Sequence, residues 1–117
     1  MDLNKQIVDK QVILDLLYGD EDYFNEFISV SIDSFTEFKD NYKQSMRMRD
    51  MANLRKTGHK IKPVAQMMKL DPILEMYEES KELLEAEAPD KQLSVLMDNM
   101  NNYCEKLIQE LRDLETS

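Results

Sequence analysis

Leu93, Leu96, Met100, Tyr103, Leu107, Leu111 and Leu114 recur at intervals of three and four residues. That spacing sets them along one face of a helix, and a strand, whose side chains alternate, cannot satisfy it. The same rhythm runs through Met51, Leu54, Gly58, Ile61, Ala65 and Met68, and the aromatic run Phe24, Phe27, Ile28, Phe35, Phe38 and Tyr42 fits one face of a long helix. No segment alternates over the length of a strand. With 2 glycines and 3 prolines in 117 residues, the chain also lacks the turn residues that a β-protein needs. The fold class read from the sequence is all-α.

Punctuation divides the chain into five helical segments. A short first helix is expected from about Asp9 to Tyr18, closed by Gly19, which tolerates positive φ at a helix end. Asp20 is expected to cap the second, and the acids of G-D-E-D suit the positive end of its dipole. The third runs from about Asp50 to Leu70. The fourth opens at Asp71-Pro72, read as an N-cap followed by proline at the first helical position. Ala88-Pro89-Asp90 breaks the chain before the fifth. Short connections favour antiparallel neighbours, so the expected architecture is an up-down-up-down four-helix bundle with a short additional N-terminal helix. It forms one domain over residues 1–117, long enough to bury roughly two thirds of its unfolded surface without a metal or disulfide staple. Met67, Met68, Met76, Met97 and Met100 are expected to fill gaps in the bundle.

Many chemistries lack their parts. A single cysteine, Cys104, excludes an intramolecular disulfide, and one histidine, His59, excludes a histidine-rich metal site. Neither a Walker motif nor a G-x-S-x-G elbow is present. Cys104 beside Tyr103 on a mainly apolar helix reads as a quiet packed thiol. The glutamates at Glu78-Glu79 and Glu85-Ala86-Glu87 read as a solvated helix end. The start M-D-L-N-K-Q-I-V has no basic region followed by a long apolar run, and no stretch approaches the roughly 20 apolar residues a bilayer needs. A cytoplasmic protein without membrane contact is expected.

The formal net charge of −9 argues against nucleic acid as a partner. The charge is uneven, however. From Arg47 to Lys69 seven basic residues stand against one acid, Asp50. This one positive stretch of an acidic chain contains the only histidine. With Met51 at position a of a heptad, the seam occupies a and d, and His59 falls at b, on the flank. Its neighbours three and four residues away are Arg55, Lys56, Lys62 and Pro63. Three of the four are cations, which favour negative charge that the ring carries or contacts. An exposed imidazole in such a setting suits a phosphoryl acceptor, and an idle surface histidine is the plain alternative.

The run H-K-I-K-P-V-A-Q-M-M-K resembles the motif of histidine-containing phosphotransfer (HPt) domains of bacterial two-component phosphorelays. That motif reads H-x-[apolar]-K-G, then small residues, with a second glycine about ten positions after the histidine. His59 matches the phosphoryl acceptor, Ile61 the buried apolar position and Lys62 the lysine. The G-D-E-D-Y-F opening, the phenylalanine-rich helix after it, the M-R-D-M-A-N-L-R-K-T-G-H approach and the acidic, leucine-bearing last helix also fit. The resemblance covers nearly the whole chain. Pro63 and Lys69 stand where the two glycines are usual. Proline at residue 63 removes the helical bond to the His59 carbonyl, and a kink is expected there.

The resemblance implies a monomeric phosphocarrier, not an enzyme, with no ATP site and no cofactor of its own. Its partner would be the receiver domain of a response regulator or of a hybrid histidine kinase, which supplies the aspartyl phosphate and a divalent metal. The imidazole Nε2 would attack in line through a loose transition state. Lys62 would support the charge, with Arg55, Lys56, Lys60, Pro63 and Gln66 as contacts. Two alternatives stand beside this reading. One is a receiver-docking module whose relay chemistry is degenerate because of Pro63. The other is an unrelated helical adaptor that binds an acidic protein through the basic face.

Overall fold

A computed structural model describes residues 6–115. Among them are five helices and no strand: α1 (Lys10–Leu16), α2 (Glu21–Arg47), α3 (Met51–Met67), α4 (Asp71–Glu85) and α5 (Asp90–Glu115). The expected all-α class holds. Residues 1–5 and 116–117 of the expected domain lie outside the described residues, and with them the beginning of the N-terminal stretch read for a leader.

Carboxylates start three of the helices. Asp9 accepts from the N–H groups of Gln11 and Val12, Asp20 from those of Asp22 and Tyr23, and Asp50 from that of Asn53. Each satisfies donors that have no partner within the helix. The fourth start corrects the expectation. Leu70 is the cap, without a side-chain bond, and Asp71 is already the first helical residue. The reason lies in the preceding turn. Leu70 is buried, and its carbonyl already accepts from the Ile73 N–H. Asp71 still faces the positive end of the helix dipole.

Helices α1 to α4 end alike. Tyr18, Arg49, Lys69 and Glu87 adopt φ of 56°, 52°, 57° and 52°. The N–H of the next residue then reaches back five positions: Gly19 to Leu14, Asp50 to Ser45, Leu70 to Ala65 and Ala88 to Leu83, at 2.8–3.0 Å. This is the Schellman closure. It also moves the expected role of Gly19. Tyr18 takes the first left-handed position, and Gly19 follows at φ 74°.

The apolar stripes meet in one core. Phe35, Ile28, Leu54, Ala65, Ile73, Met100, Leu107 and Leu111 are fully buried. Helix α2 packs on α3 and α5, α3 on α4, and α4 on α5, so the four longer helices close a ring. The long dimension of 46 Å is near the roughly 40 Å of a helix the length of α2, so the helices lie along it. Arg49 donates to the Ala88 carbonyl and to Asp90 Oδ1, both at 2.7 Å, which puts the α2–α3 and α4–α5 turns at the same end. Near the other end α1 packs on α2, and Glu110 of α5 accepts from the N–H groups of Ile7 and Val8. A polar contact also crosses the core. Ser80 Oγ donates to the Met76 carbonyl and meets Tyr42 Oη at 2.6 Å, so both buried hydroxyls are satisfied. Met68 and Met100 fill the core, and Met76 and Met97 line it. Met67 is 43% exposed, contrary to the expectation. It lies one position before the seam residue Met68 and so points off it.

Candidate functional site

Helix α3 lies between α2 and α4. Its seam is the one read from the sequence: Leu54, Gly58, Ile61, Ala65 and Met68 are buried and Met51 is partly so. Thr57 is buried as well, on the side of α3 that faces α2. His59 is exposed, as are Arg55, Lys56, Lys60, Lys62, Pro63 and Gln66. All seven expected site residues therefore lie on the solvent side of one helix, over a packed floor.

The cations around His59 are not equivalent. Lys60 Nζ leans toward α2 and pairs with Glu37 Oε1 at 2.8 Å. Arg55 leans the other way and meets Glu85 Oε1, at the end of α4, at 3.3 Å. Among the described residues Lys56 and Lys62 have no ion pair. So the structure divides one basic patch into two cations held by carboxylates and two that are not. Glu85 is the last residue of α4 and exposed, as expected of a solvated helix end, and it carries one of these pairs. The sequence could not show these pairs, because cross-helix register decides which acids arrive.

Gly58 explains itself through α4. A Cβ at this position would fall on the Tyr77 ring, against Cζ, Cε1 and Oη. The absent side chain lets Tyr77 press against the backbone one residue before His59. Tyr77 is buried, with Lys81 Nζ over its ring at 4.7 Å. Burial pushes its phenol upward, Lys81 and Arg55 pull it back, and Glu78 adds to the rise. A glycine inside a helical pattern was the available signal of a close approach, though not of its partner.

Helix α3 passes through Pro63 as one α-helix from Met51 to Met67. Proline has no N–H, so the His59 carbonyl lacks its usual bond from four residues on. Both residues are exposed, and water can take that acceptor.

Beside Lys60 a shallow cleft of about 100 Å³ opens between α2 and α3. Phe38 and Ile61 line it together with Ser34, Asn41 and Thr57. Small-molecule pockets run from roughly 300 Å³ upward, and this cleft is well below that size. Among the described residues no three His, Cys, Asp or Glu side chains are grouped to hold a metal, and no helix is long and apolar enough to cross a membrane. Cys104 is fully buried, and burial pushes its thiol up to about 12, so it is no nucleophile at neutral pH. Comparison with protein-family models, with curated proteins and with solved structures finds no match to this chain.

Proposed function

We propose that this protein is a histidine phosphotransfer protein of the HPt kind. It accepts a phosphoryl group on His59 from a receiver-domain aspartate and passes it on. The observation that carries the reading is the placement of His59. It is the only histidine, it stands exposed midway along α3, and the core closes beneath it. Lys62 lies one turn on, on the same face and, among the described residues, without an ion pair. The ring of packed helices and their three short turns support an up-down-up-down four-helix bundle, with α1 as the additional helix. The left-handed φ of 57° at Lys69 also supports it, because the resemblance implies glycine there.

In the proposed reaction an imidazole nitrogen forms a bond to phosphorus as the aspartyl oxygen–phosphorus bond breaks. The carboxylate leaves with the bonding pair, and the ring releases its remaining N–H proton to solvent. The receiver brings the divalent metal. This chain brings a positioned nucleophile and cations that offset the arriving charge. A monomer in the cytoplasm, with no nucleic acid or membrane partner, completes the proposal. The test is phosphoryl transfer from a panel of phosphorylated receiver domains. Acid-labile, base-stable label on the wild type and none on His59→Gln, with unchanged helicity, is the expected result. Equal labelling of the two proteins would sink the proposal.

A degenerate docking module remains as a second reading, favoured by Pro63 beside His59 in place of glycine. It predicts that a receiver binds His59→Gln as well as the wild type while neither protein takes label.

A further inference from the structure

We infer that Arg55 is a swinging cation, parked on Glu85 in the free protein and drawn to the phosphoryl group once His59 carries one. This rests on the phosphocarrier reading and adds a control element to it. Arg55 lies four residues before His59, so helix geometry sets the two side chains on adjoining turns of one face. Yet its guanidinium is turned toward α4, where a single contact of 3.3 Å joins Nη2 to Glu85 Oε1. The two side chains are 56% and 63% exposed, so water screens the pair and holds it weakly.

A phosphoryl group on His59 changes the competition. It carries a charge of about −1.5 to −2 against the single charge of Glu85, and three acceptor oxygens instead of two. The planar fork of arginine matches those oxygens in a way a lysine ammonium does not. Lys60 is the weaker candidate. Its contact with Glu37 is shorter, at 2.8 Å, and residues adjacent in sequence do not face each other on a helix. Glu85 thus acts as a positioning residue. It holds Arg55 off the unphosphorylated imidazole and sets how readily the guanidinium is released.

The test needs no receiver. Phosphoramidate phosphorylates exposed histidine: a ring nitrogen bonds to phosphorus, the phosphorus–nitrogen bond of the reagent breaks, and ammonia leaves with its electron pair. The ring then loses its N–H proton to solvent. Because His59 is the only histidine, one phosphorus resonance reports it. Two readouts follow at fixed pH: the side-chain Nε–Hε resonance of Arg55, and the rate at which water removes the label. Water removes the label most readily when the ring is protonated and leaves as neutral imidazole, and a cation held beside the ring disfavours that protonation, so it slows hydrolysis. Labelling is expected to move the Arg55 resonance. Arg55→Gln is expected to hydrolyse about threefold faster, a modest factor that suits an exposed charge pair. Glu85→Gln is expected to hydrolyse more slowly than wild type, and Glu85→Asp to behave as wild type.

The double variant decides whether Glu85 works through Arg55. In the Arg55→Gln background, Glu85→Gln is expected to have no further effect. An unmoved Arg55 resonance, an unchanged rate in Arg55→Gln, or a Glu85→Gln effect that persists without Arg55 would each overturn the inference. Transfer from a receiver with a flat cycle removes this inference alone. A positive cycle without transfer from any receiver removes the carrier reading and leaves the swing in place. A His59 that phosphoramidate cannot label overturns both.

Discussion

Replacing Gly58 by alanine should destabilise the protein, against the sense of helix propensity. In an exposed helix interior alanine is favoured over glycine by about 1 kcal/mol. Here the new Cβ falls on Cζ, Cε1 and Oη of Tyr77. Those atoms belong to a rigid, buried ring with Lys81 above it, so relief requires the whole ring to turn or α4 to move away. Overpacking costs about 1–3 kcal/mol, a rigid buried ring puts this case in the upper part of that range, about 2–3 kcal/mol, and the propensity gain of about 1 kcal/mol offsets part of it. The net loss should be about 1–2 kcal/mol. Unfolding entropy of about 2.1 cal/mol/K per residue makes 1 kcal/mol worth about 4 °C for a chain of 117 residues. A fall in Tm of about 4–8 °C is therefore expected by calorimetry or circular dichroism. The same substitution in a Tyr77→Ala background should reverse sign and stabilise, since only propensity is left. The argument fails if Gly58→Ala raises Tm in the wild type, or lowers it equally in both backgrounds.

Two further outcomes follow from the backbone and the core. Lys69→Gly should stabilise by about 1 kcal/mol, or about 4 °C in Tm, because it removes a side chain from a left-handed position; Lys69→Ala keeps the strain, and equal behaviour of the two variants would show that φ is not the cause. Stability should also fall in alkali. Burial raises the Cys104 thiol from 9.0 to about 12 and the Tyr42 phenol from 10.0 to about 12, the latter despite its bond to Ser80. The folded state holds both protons longer than the unfolded chain does. Their contribution is thus complete below pH 9 and is lost as pH rises toward 12, at up to about 1.4 kcal/mol per pH unit per group. Urea midpoints of Cys104→Ala between pH 9 and 10 should be flatter than those of the wild type, and identical slopes would refute the assignment to the thiol.

What the sequence made legible follows from periodicity. The three-and-four spacing gave α2, α3 and α5, punctuation at Gly19, Asp71-Pro72 and Ala88-Pro89-Asp90 marked off α1 and α4, and the a/d count on α3 put His59 on the flank where the structure has it. Asp9, Asp20 and Asp50 could be read as starts because a cap is local chemistry. Asp71 misled because the preceding turn, not the side chain, decides where α4 begins. The pairs Arg55–Glu85 and Lys60–Glu37, and the ring of Tyr77 on Gly58, lie 19 to 30 residues apart in sequence. Their meeting depends on how far α3 slides against α2 and α4, and no local pattern encodes that offset.

The two departures from the expected motif have different physical weight. At Lys69 the backbone adopts the conformation a glycine would serve, so the fold keeps the demand and accepts the strain of a side chain there. The closing bond from the Leu70 N–H to the Ala65 carbonyl, at 2.9 Å, helps hold it. At Pro63 the backbone stays helical, so glycine's conformational freedom is not what that position uses. What changes is the surface beside the imidazole, where a ring replaces a hydrogen, and the His59 carbonyl, which loses its helical donor. The first departure bears on stability alone. On the proposed phosphocarrier reading the second bears on how closely a receiver can approach His59. Pro63→Gly should therefore alter the rate of transfer from a receiver while leaving chemical labelling by phosphoramidate nearly unchanged. Equal changes in the two rates would place the effect of Pro63 on the imidazole itself and not on the fit of the partner.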